Sequence, residues 1–396
     1  MTRTAHNPVH VQGHHFQQIL AKLGIRTEGK SPQFAYCSRS FAFHFLIRTL
    51  LDKLAHPQPA GVTRHMSRIG FGIVGTGMIA GVIADAIDKS RNAKLIAVSS
   101  RRIEASQRFV ANRPEVAAVQ GLDDLLVRAD VEAVYIAIPS AVKEQTALAA
   151  IAAGKHVLVD KPFVSHASLM RMINAAAAKG VAFMDATHFV HHPRTAAIQA
   201  AIAEKISSPR SLNTTFYFPF SDRTEPMGAI GDMAWYSMRA AVEYVRPQGQ
   251  ITKVAAVAER DPATTSVVRA SGLIAFDSGE VSTFDIGYTA GVTIMDLQLL
   301  GTSGVICMDD FVLDWTNSFA FKNPDIKPGY FHRTGMATRK DVSFIVTPSN
   351  IPGEVAMIEK FAEMCASGNA ARWTESAAAS LKTQEYLDAI WSAAGS

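Results

Sequence analysis

Across residues 67–186 short apolar runs alternate with helical patterns, and few architectures accept that order. Ile69–Val74 reads as a strand. Met78–Ile87 reads as a helix with Ile79, Val82, Ile83, Ala86 and Ile87 on one stripe. Lys94–Ser99 is the next strand; a helix follows and stops near Pro114, and GLDDLLVRADV makes a short helical turn. AVYIAI, Ala133–Ile138, is continuously apolar, as a strand covered on both faces of a parallel sheet must be. Ser140 is expected to cap the helix that reaches Ala153, and KHVLVD to form the strand after it. Ser165 and Gly180 should open and close a helix carrying Leu169, Met172, Ile173 and Ala176, before VAFMDA completes the series. Repeated strand–helix–strand units predict an α/β chain whose N-terminal part is a doubly wound parallel sheet.

Beyond residue 187 the pattern changes. Ser211 to Asp310 reads mostly as strands, with Phe284, Ile286 and Tyr288 on one face of GEVSTFDIGY and Thr283, Asp285 and Gly287 on the other. AFDSGEV and LLGTSGVI look like hairpin turns, and the last stretch, ESAAASLKTQEYLDAIWSAA, is helical. This predicts a C-terminal α+β domain, 187–396, with an open, mainly antiparallel sheet whose solvated face pairs with another subunit in a homodimer or homotetramer. Residues 1–66 are polar and His-rich at first, and are expected to be a poorly structured extension, with the working chain beginning near Met66.

In the stretch GIVGTGMIA a strand enters G-x-G-x-x-A and leaves into an apolar helix, the dinucleotide fingerprint in its proper context. Gly75 permits the tight turn, Gly77 leaves room for a pyrophosphate on the backbone, and Ala80 lets helix and strand close together. The amides around Thr76, Met78 and Ile79 then face a phosphate at the positive end of the helix. A turn that serves packing alone is the competing explanation. NAD-preferring sites place Asp or Glu about 20 residues further on, for the ribose 2′-OH. Here the second strand ends Ser99, Ser100, Arg101, Arg102, with no acid until Glu104. A hydroxyl and a guanidinium suit a 2′-phosphate, so Ser100 and Arg101 predict NADP(H), with NAD(H) the second choice.

The composition narrows the partners. The 396 residues are 48% hydrophobic and 19% charged with a net charge of +4, and no dense Lys/Arg run is present. Nucleic acid and membrane surfaces are therefore not expected partners, and a small-molecule substrate is. Cys37, Cys307 and Cys365 show no paired metal or disulfide spacing, so no metal is assigned and a reducing, cytoplasmic setting is expected.

Three motifs together resemble the glucose–fructose oxidoreductase / inositol dehydrogenase / MocA family: GIVGTGMIA, IPSAVKEQTALAAIAAGKHVLVDKP and GAIGDMAWYSMRAAVEYV. The likeness runs over about residues 67–395 and looks nearest to a branch of uncharacterised plant and bacterial oxidoreductases. It implies a Rossmann domain, a sheet domain and catalysis in the cleft between them, on a sugar, polyol or cyclic diol. The family's lysine falls on Lys161, its tyrosine or histidine on Tyr236 and its preceding acid on Asp232, with Pro139 near the nicotinamide. Asp160 stands where the family has Glu, Ser140 and Lys143 where it has Asn and His, and Ala234 where it has Gly. A non-catalytic nucleotide sensor of the same fold, and a reductase of a non-sugar substrate, are the rival readings.

The chemistry agrees with that assignment. Interconverting an alcohol and a carbonyl moves a hydride and a proton, and a side chain must handle the proton. Tyrosine, with a pKa of about 10, is a poor base at neutral pH, so Lys161 beside Tyr236 is expected to lower that value. Lys161 follows a strand's C-terminal end, where open α/β sheets bind ligands. Asp232 and Tyr236, four apart, share one helical face. A surface lysine, a packed aromatic and a helix cap are the plain alternatives for Lys161, Tyr236 and Asp232. His188 and His191, after the last strand, are candidate substrate contacts, although histidines so placed are often structural, and Trp235 is expected either to line the pocket as a substrate contact or to pack beneath it.

Overall fold

The computed structural model describes residues 68–219, 225–313, 325–335, 338 and 341–395; the expectation for residues 1–66 lies outside them. Six parallel strands form the first sheet: β1 (Ile69–Val74), β2 (Ala93–Ser100), β3 (Ala117–Gln120), β4 (Ala133–Ile136), β5 (His156–Val159) and β6 (Phe183–Asp185). Their order is β3-β2-β1-β4-β5-β6, with the reversal between β1 and β4 that creates a ligand crevice at the strands' C-terminal ends. Helices α1 (Met78–Lys89), α2 (Ile103–Phe109), α3 (Asp123–Leu126), α4 (Ser140–Ala152) and α5 (His166–Lys179) make the crossovers. Strands β1 and β4 are buried at every position, which explains their unbroken apolar sequence. Ser165 caps α5 by accepting from the Ser168 amide, and Gly180 ends it at φ 71°. Ser140 does not cap α4: Pro139 is the cap residue, and the Ser140 hydroxyl is turned toward Glu225.

After α6 (Pro193–Ala201) comes β7 (Pro209–Tyr217), and then a continuous helical rod. Its centre is α7 (Trp235–Ala240), with wide π-helical turns at Ile230–Ala234 and Ala241–Val245. The second sheet adds β8 (Ile251–Arg260), β9 (Val267–Phe276), β10 (Val281–Gly287), β11 (Ile294–Gly301), β12 (Gly304–Met308), β13 (Gly329–Thr334) and β14 (Ser343–Val346). Among the described residues it has eight strands, antiparallel except where β10 runs parallel to β7. Phe284 and Ile286 face the core while Thr283 and Asp285 alternate toward the other side, as the sequence period requires. The rod packs on the covered face, and the other face carries a polar ladder: Tyr217 donates to Asp285, and Arg269 to Tyr217.

The chain's last part ties the two sheets together. Helix α8 (Gly353–Ser367) lies against α1 and the first sheet, where Phe361 meets Phe71 edge-on. Helix α9 (Ala370–Gly395) packs against β8, α5, α7 and β6. One hydrophobic core runs from Val134 and Val159 through Trp235 and Tyr236 to Phe284 and Tyr386.

Candidate active site

At the end of β1 the chain turns through Gly75 at φ 115°. A Cβ there would lie 2.2 Å from the Ala137 carbonyl oxygen, so only glycine fits. At Gly77 a Cβ would meet nothing within 4 Å; the space above this backbone is open. No side chain caps the start of α1, no acid stands in its first turn, and Met78 is 69% exposed. Ala80 is fully buried against the strand. These are the properties of a helix N-terminus that can take a pyrophosphate on bare amides, so the cradle fits a dinucleotide. At the end of β2, Ser99 is buried and donates to the Gly121 carbonyl, whereas the Ser100 hydroxyl closes a local turn on Arg102. Arg101 and Arg102 are exposed and make no ion pair among the described residues.

The other end of the crevice lies at β5, β4 and the helical rod. Asp160, first residue past β5, hydrogen-bonds through its amide to the Ile136 carbonyl, which holds the strand end to β4. The next residue, Lys161, reaches across to the second half of the chain. Its Nζ donates to Asp232 Oδ1 at 2.6 Å and to the Asp232 carbonyl at 2.9 Å. It lies 4.7 Å from the centre of the Tyr236 ring. The π-helical turn, not a regular α-helical face, presents Asp232 and Tyr236 to the same ammonium. Asp232 is not a helix cap; its second oxygen accepts from the Tyr288 hydroxyl at 3.2 Å. Tyr236 is 8% exposed, wedged between Phe216, Phe189 and His188 with ring centres 5.7, 6.2 and 5.9 Å away.

The electrostatics follow from this packing. Burial works against the Lys161 ammonium, but Asp232, the Tyr236 phenol and Asp160 outweigh it and hold the lysine above its ordinary value. For Tyr236 the balance goes the other way from the expectation. Burial pushes the phenol up, Lys161 pulls it down, Asp160 and Asp232 push it up again, and it comes to rest at about 12. The lysine's pull is real but smaller than the loss of water. At neutral pH the Tyr236 phenol therefore keeps its proton.

Lys161, Asp232 and Tyr236 therefore meet, and Pro139 heads α4 on the same side of the sheet. His188 touches the Tyr236 ring and is pushed down to about 3 by burial and then by Lys161, so its imidazole is neutral. Two substrate candidates are not brought in. Trp235 is fully buried, with Nε1 donating to Thr187 at 2.7 Å and its ring 5.5 Å from Phe163. It belongs to the core beneath the site because its neighbour Tyr236 takes the face toward the crevice. His191, pushed down to about 4 by burial and next by Arg239, has Arg239, Asp185 and Lys360 as its charged neighbours.

Arg239 and Asp185 are part of a buried network. Asp185, at the end of β6, accepts from Arg239 at 2.8 Å, from the Thr187 amide at 3.0 Å, and from the Thr187 and Ser380 hydroxyls. Arg239 also donates to Glu243 at 2.8 Å. The network fastens the rod that carries Asp232 and Tyr236 to the first sheet. Tyr288, Lys143 and Glu225 also belong to the site's surroundings. The sequence offered no functional signal for Tyr288 or Glu225, and for Lys143 only its place in the second motif.

Residues 69–187 match the GFO_IDH_MocA family, an oxidoreductase family with an NAD-binding Rossmann fold. The Rossmann part of the chain, residues 69–187, is of this family's type. Curated relatives agree. The dTDP-3,4-didehydro-2,6-dideoxy-alpha-D-glucose 3-reductase of Streptomyces violaceoruber is 29% identical over 265 residues, 63% of this chain and 75% of that protein. The scyllo-inositol 2-dehydrogenase (NADP(+)) IolU of Bacillus subtilis is 32% identical over 156 residues, 39% of this chain and 47% of that protein. In solved structures the fold recurs in KijD10, a 3-ketoreductase from Actinomadura kijaniata crystallised with TDP-benzene and NADP. The TM-score is 0.72 at 24% identity, with 83% of this chain and 98% of KijD10 covered. KijD10 thus shares the fold of the two sheets seen here. Among the described residues no helix is long and apolar enough to cross a membrane.

Proposed function

We propose that the chain is an NADP(H)-dependent oxidoreductase that reduces a carbonyl of a sugar-like substrate to the hydroxyl, the reverse oxidation of a sugar, polyol or cyclic diol being the same step run backward. The observation that carries this reading is the Lys161 ammonium, held by Asp232 against the ring of Tyr236 at the mouth of a dinucleotide-type crevice. When bound, the nicotinamide exchanges the hydride with substrate carbon. The chain's own residues handle everything else. The Tyr236 phenol, protonated at neutral pH, gives its proton to the substrate oxygen as negative charge grows there. Lys161, fixed by two bonds to Asp232, stabilises the phenolate that remains. Asp232 in turn is held by Tyr288. A phenol that keeps its proton at neutral pH is ready to donate it, and the reverse oxidation would need it deprotonated first.

Gly75, Thr76, Gly77, Met78 and Ile79 would hold the pyrophosphate, and Arg101 would hold the 2′-phosphate, joined by Ser100 once its hydroxyl turns from the Arg102 carbonyl. The relatives' names support NADP and sugar-type substrates: two are a sugar-nucleotide 3-reductase and an NADP(+) inositol dehydrogenase. A second copy covers the open face of the eight-stranded sheet, where the edge strand β14 leaves Phe344 and Val346 exposed. The test is a panel of keto sugars with NADPH, and of sugars, polyols and diols with NADP⁺, following the absorbance of the reduced nicotinamide. Turnover that is lost in Lys161→Met and Tyr236→Phe supports the enzyme. Tight NADPH binding with no turnover on any panel member turns the assignment to a nucleotide sensor.

A further inference from the structure

Lys143 sits in the first turn of α4 and is 3% exposed, yet it carries a charge. Its Nζ donates to the carbonyl oxygens of Lys161 and Pro162, both at 2.9 Å. Four charged groups face it: Asp160 and Lys161 from the corner after β5, Glu225 from the segment ahead of the rod, and Asp232 from the rod itself. The same end of α4 is pinned from the other half of the chain, since the Ser140 amide and hydroxyl both donate to Glu225, at 3.1 and 2.7 Å. Burying an ammonium is costly unless it is well satisfied, and an apolar side chain of that length would fill the same space at lower cost. The two carbonyls that it gathers are those of Lys161 itself and of the next residue, so they fix the backbone immediately after the Lys161 Cα.

We infer that Lys143 is a positioning residue: its ammonium clamps the Lys161 and Pro162 carbonyls and so holds the Lys161 side chain against Asp232 and Tyr236. The inference rests on the reading of Lys161 and Tyr236 as the proton-handling pair. Burial lowers the Lys143 ammonium, Asp160 and Glu225 raise it, Lys161 lowers it and Asp232 raises it, leaving it at about 8. Below that pH the clamp is charged. As pH rises through it the proton leaves, and hydrogen bonds of roughly half the strength remain. Activity thus loses its optimum on the alkaline side through Lys143, while Tyr236 and Lys161 still hold their protons.

The test uses the full chain with carbon-13 at the lysine ε position, NADPH, and a panel member that turns over. In Lys143→Gln, kcat falls roughly tenfold to a hundredfold, the scale of a small misplacement of a reacting group, and KM and NADPH affinity hold within about twofold. The alkaline limb near pH 8 disappears with it. Lys143→Arg restores most of kcat and carries the limb far upward, because a guanidinium keeps its charge. By NMR, the lysine signal missing in Lys143→Gln titrates near 8 in the parent chain, and the Lys161 signal moves in the variant. A Lys143→Gln enzyme that keeps both kcat and the limb overturns the proposal, as does a Lys143 signal still charged at about pH 10. Should Lys143→Gln not fold, Lys143→Arg and the parent titration decide. Absence of turnover in the parent chain counts against the proposed function alone, since both lysine signals are read without substrate.

Discussion

The two ends of the crevice are built on opposite lines. Around Gly75 and Gly77 the chain offers open backbone, an uncapped helix start and exposed guanidiniums at Arg101 and Arg102. Around Lys161 the donors are already committed: Lys161 to Asp232, Asp232 to Tyr288, Lys143 to two carbonyls. The difference follows from the tasks. An end that receives a polyanion leaves its donors free for the ligand. An end that steers a proton fixes its groups beforehand, so that little reorganisation accompanies the chemistry. Affinity should respond to changes at the first end and rate to changes at the second.

The largest expected effect lies at the committed end. Lys161→Met and Tyr236→Phe should each lower kcat by ~10² to 10⁴, the span of positioned proton transfer, with NADPH affinity by calorimetry little changed. If affinity collapses instead, the contrast between the ends is lost. Next comes the buried pair beneath the site. Asp185→Asn removes one of the two carboxylates bonded to Arg239, leaving Glu243, and should cost about 3 kcal/mol of stability in denaturant unfolding, the low end for breaking a buried pair. Burial raises the Asp185 carboxyl, but Arg239, Ser380 and Thr187 together leave it below its ordinary value. Its contribution is therefore complete at neutral pH and is lost as pH falls through that lowered value; Asp185→Asn should flatten this acid limb. At the open end, Gly77→Val adds a side chain that meets no protein atom within 4 Å near its Cβ. Unfolding should shift by no more than ~0.5 kcal/mol, while NADP(H) affinity drops by about a hundredfold, from the loss of close backbone approach. The smallest effect is Arg101→Ala: NADPH should bind about tenfold less tightly, one charge-assisted hydrogen bond, and NADH should not change. Equal losses for both coenzymes would remove the 2′-phosphate from the account.

The legible part of this chain is the part written in periodicity and backbone geometry. The unbroken apolar run of β4 and the left-handed turn at Gly75 are local consequences of local residues, and both stand as read. So does the alternation of β10 on the second sheet. What composition and spacing could not carry was net electrostatics and the partnership of distant residues. The Lys161–Tyr236 contact was expected to lower the phenol, but its final value is set by burial among Phe216, Phe189 and His188, which no spacing reports. Ser140 has the chemistry of a helix cap and spends its hydroxyl on Glu225, 85 positions away. Trp235 and Tyr236 are neighbours in a helix, so one takes the crevice and the other the core; sequence could not say which. Tyr288 was legible as a sheet residue on the face of Phe284 and Ile286, and only the fold brings its hydroxyl to Asp232.

Asp185 ends the sixth parallel strand, yet one of the hydroxyls that secure it belongs to Ser380, 195 positions later. On a translating ribosome both ends of the crevice therefore wait for the chain's last part: α8 covers α1 and the first sheet, and α9 brings Ser380 to Asp185. Neither sheet has its full cover until near the close of synthesis.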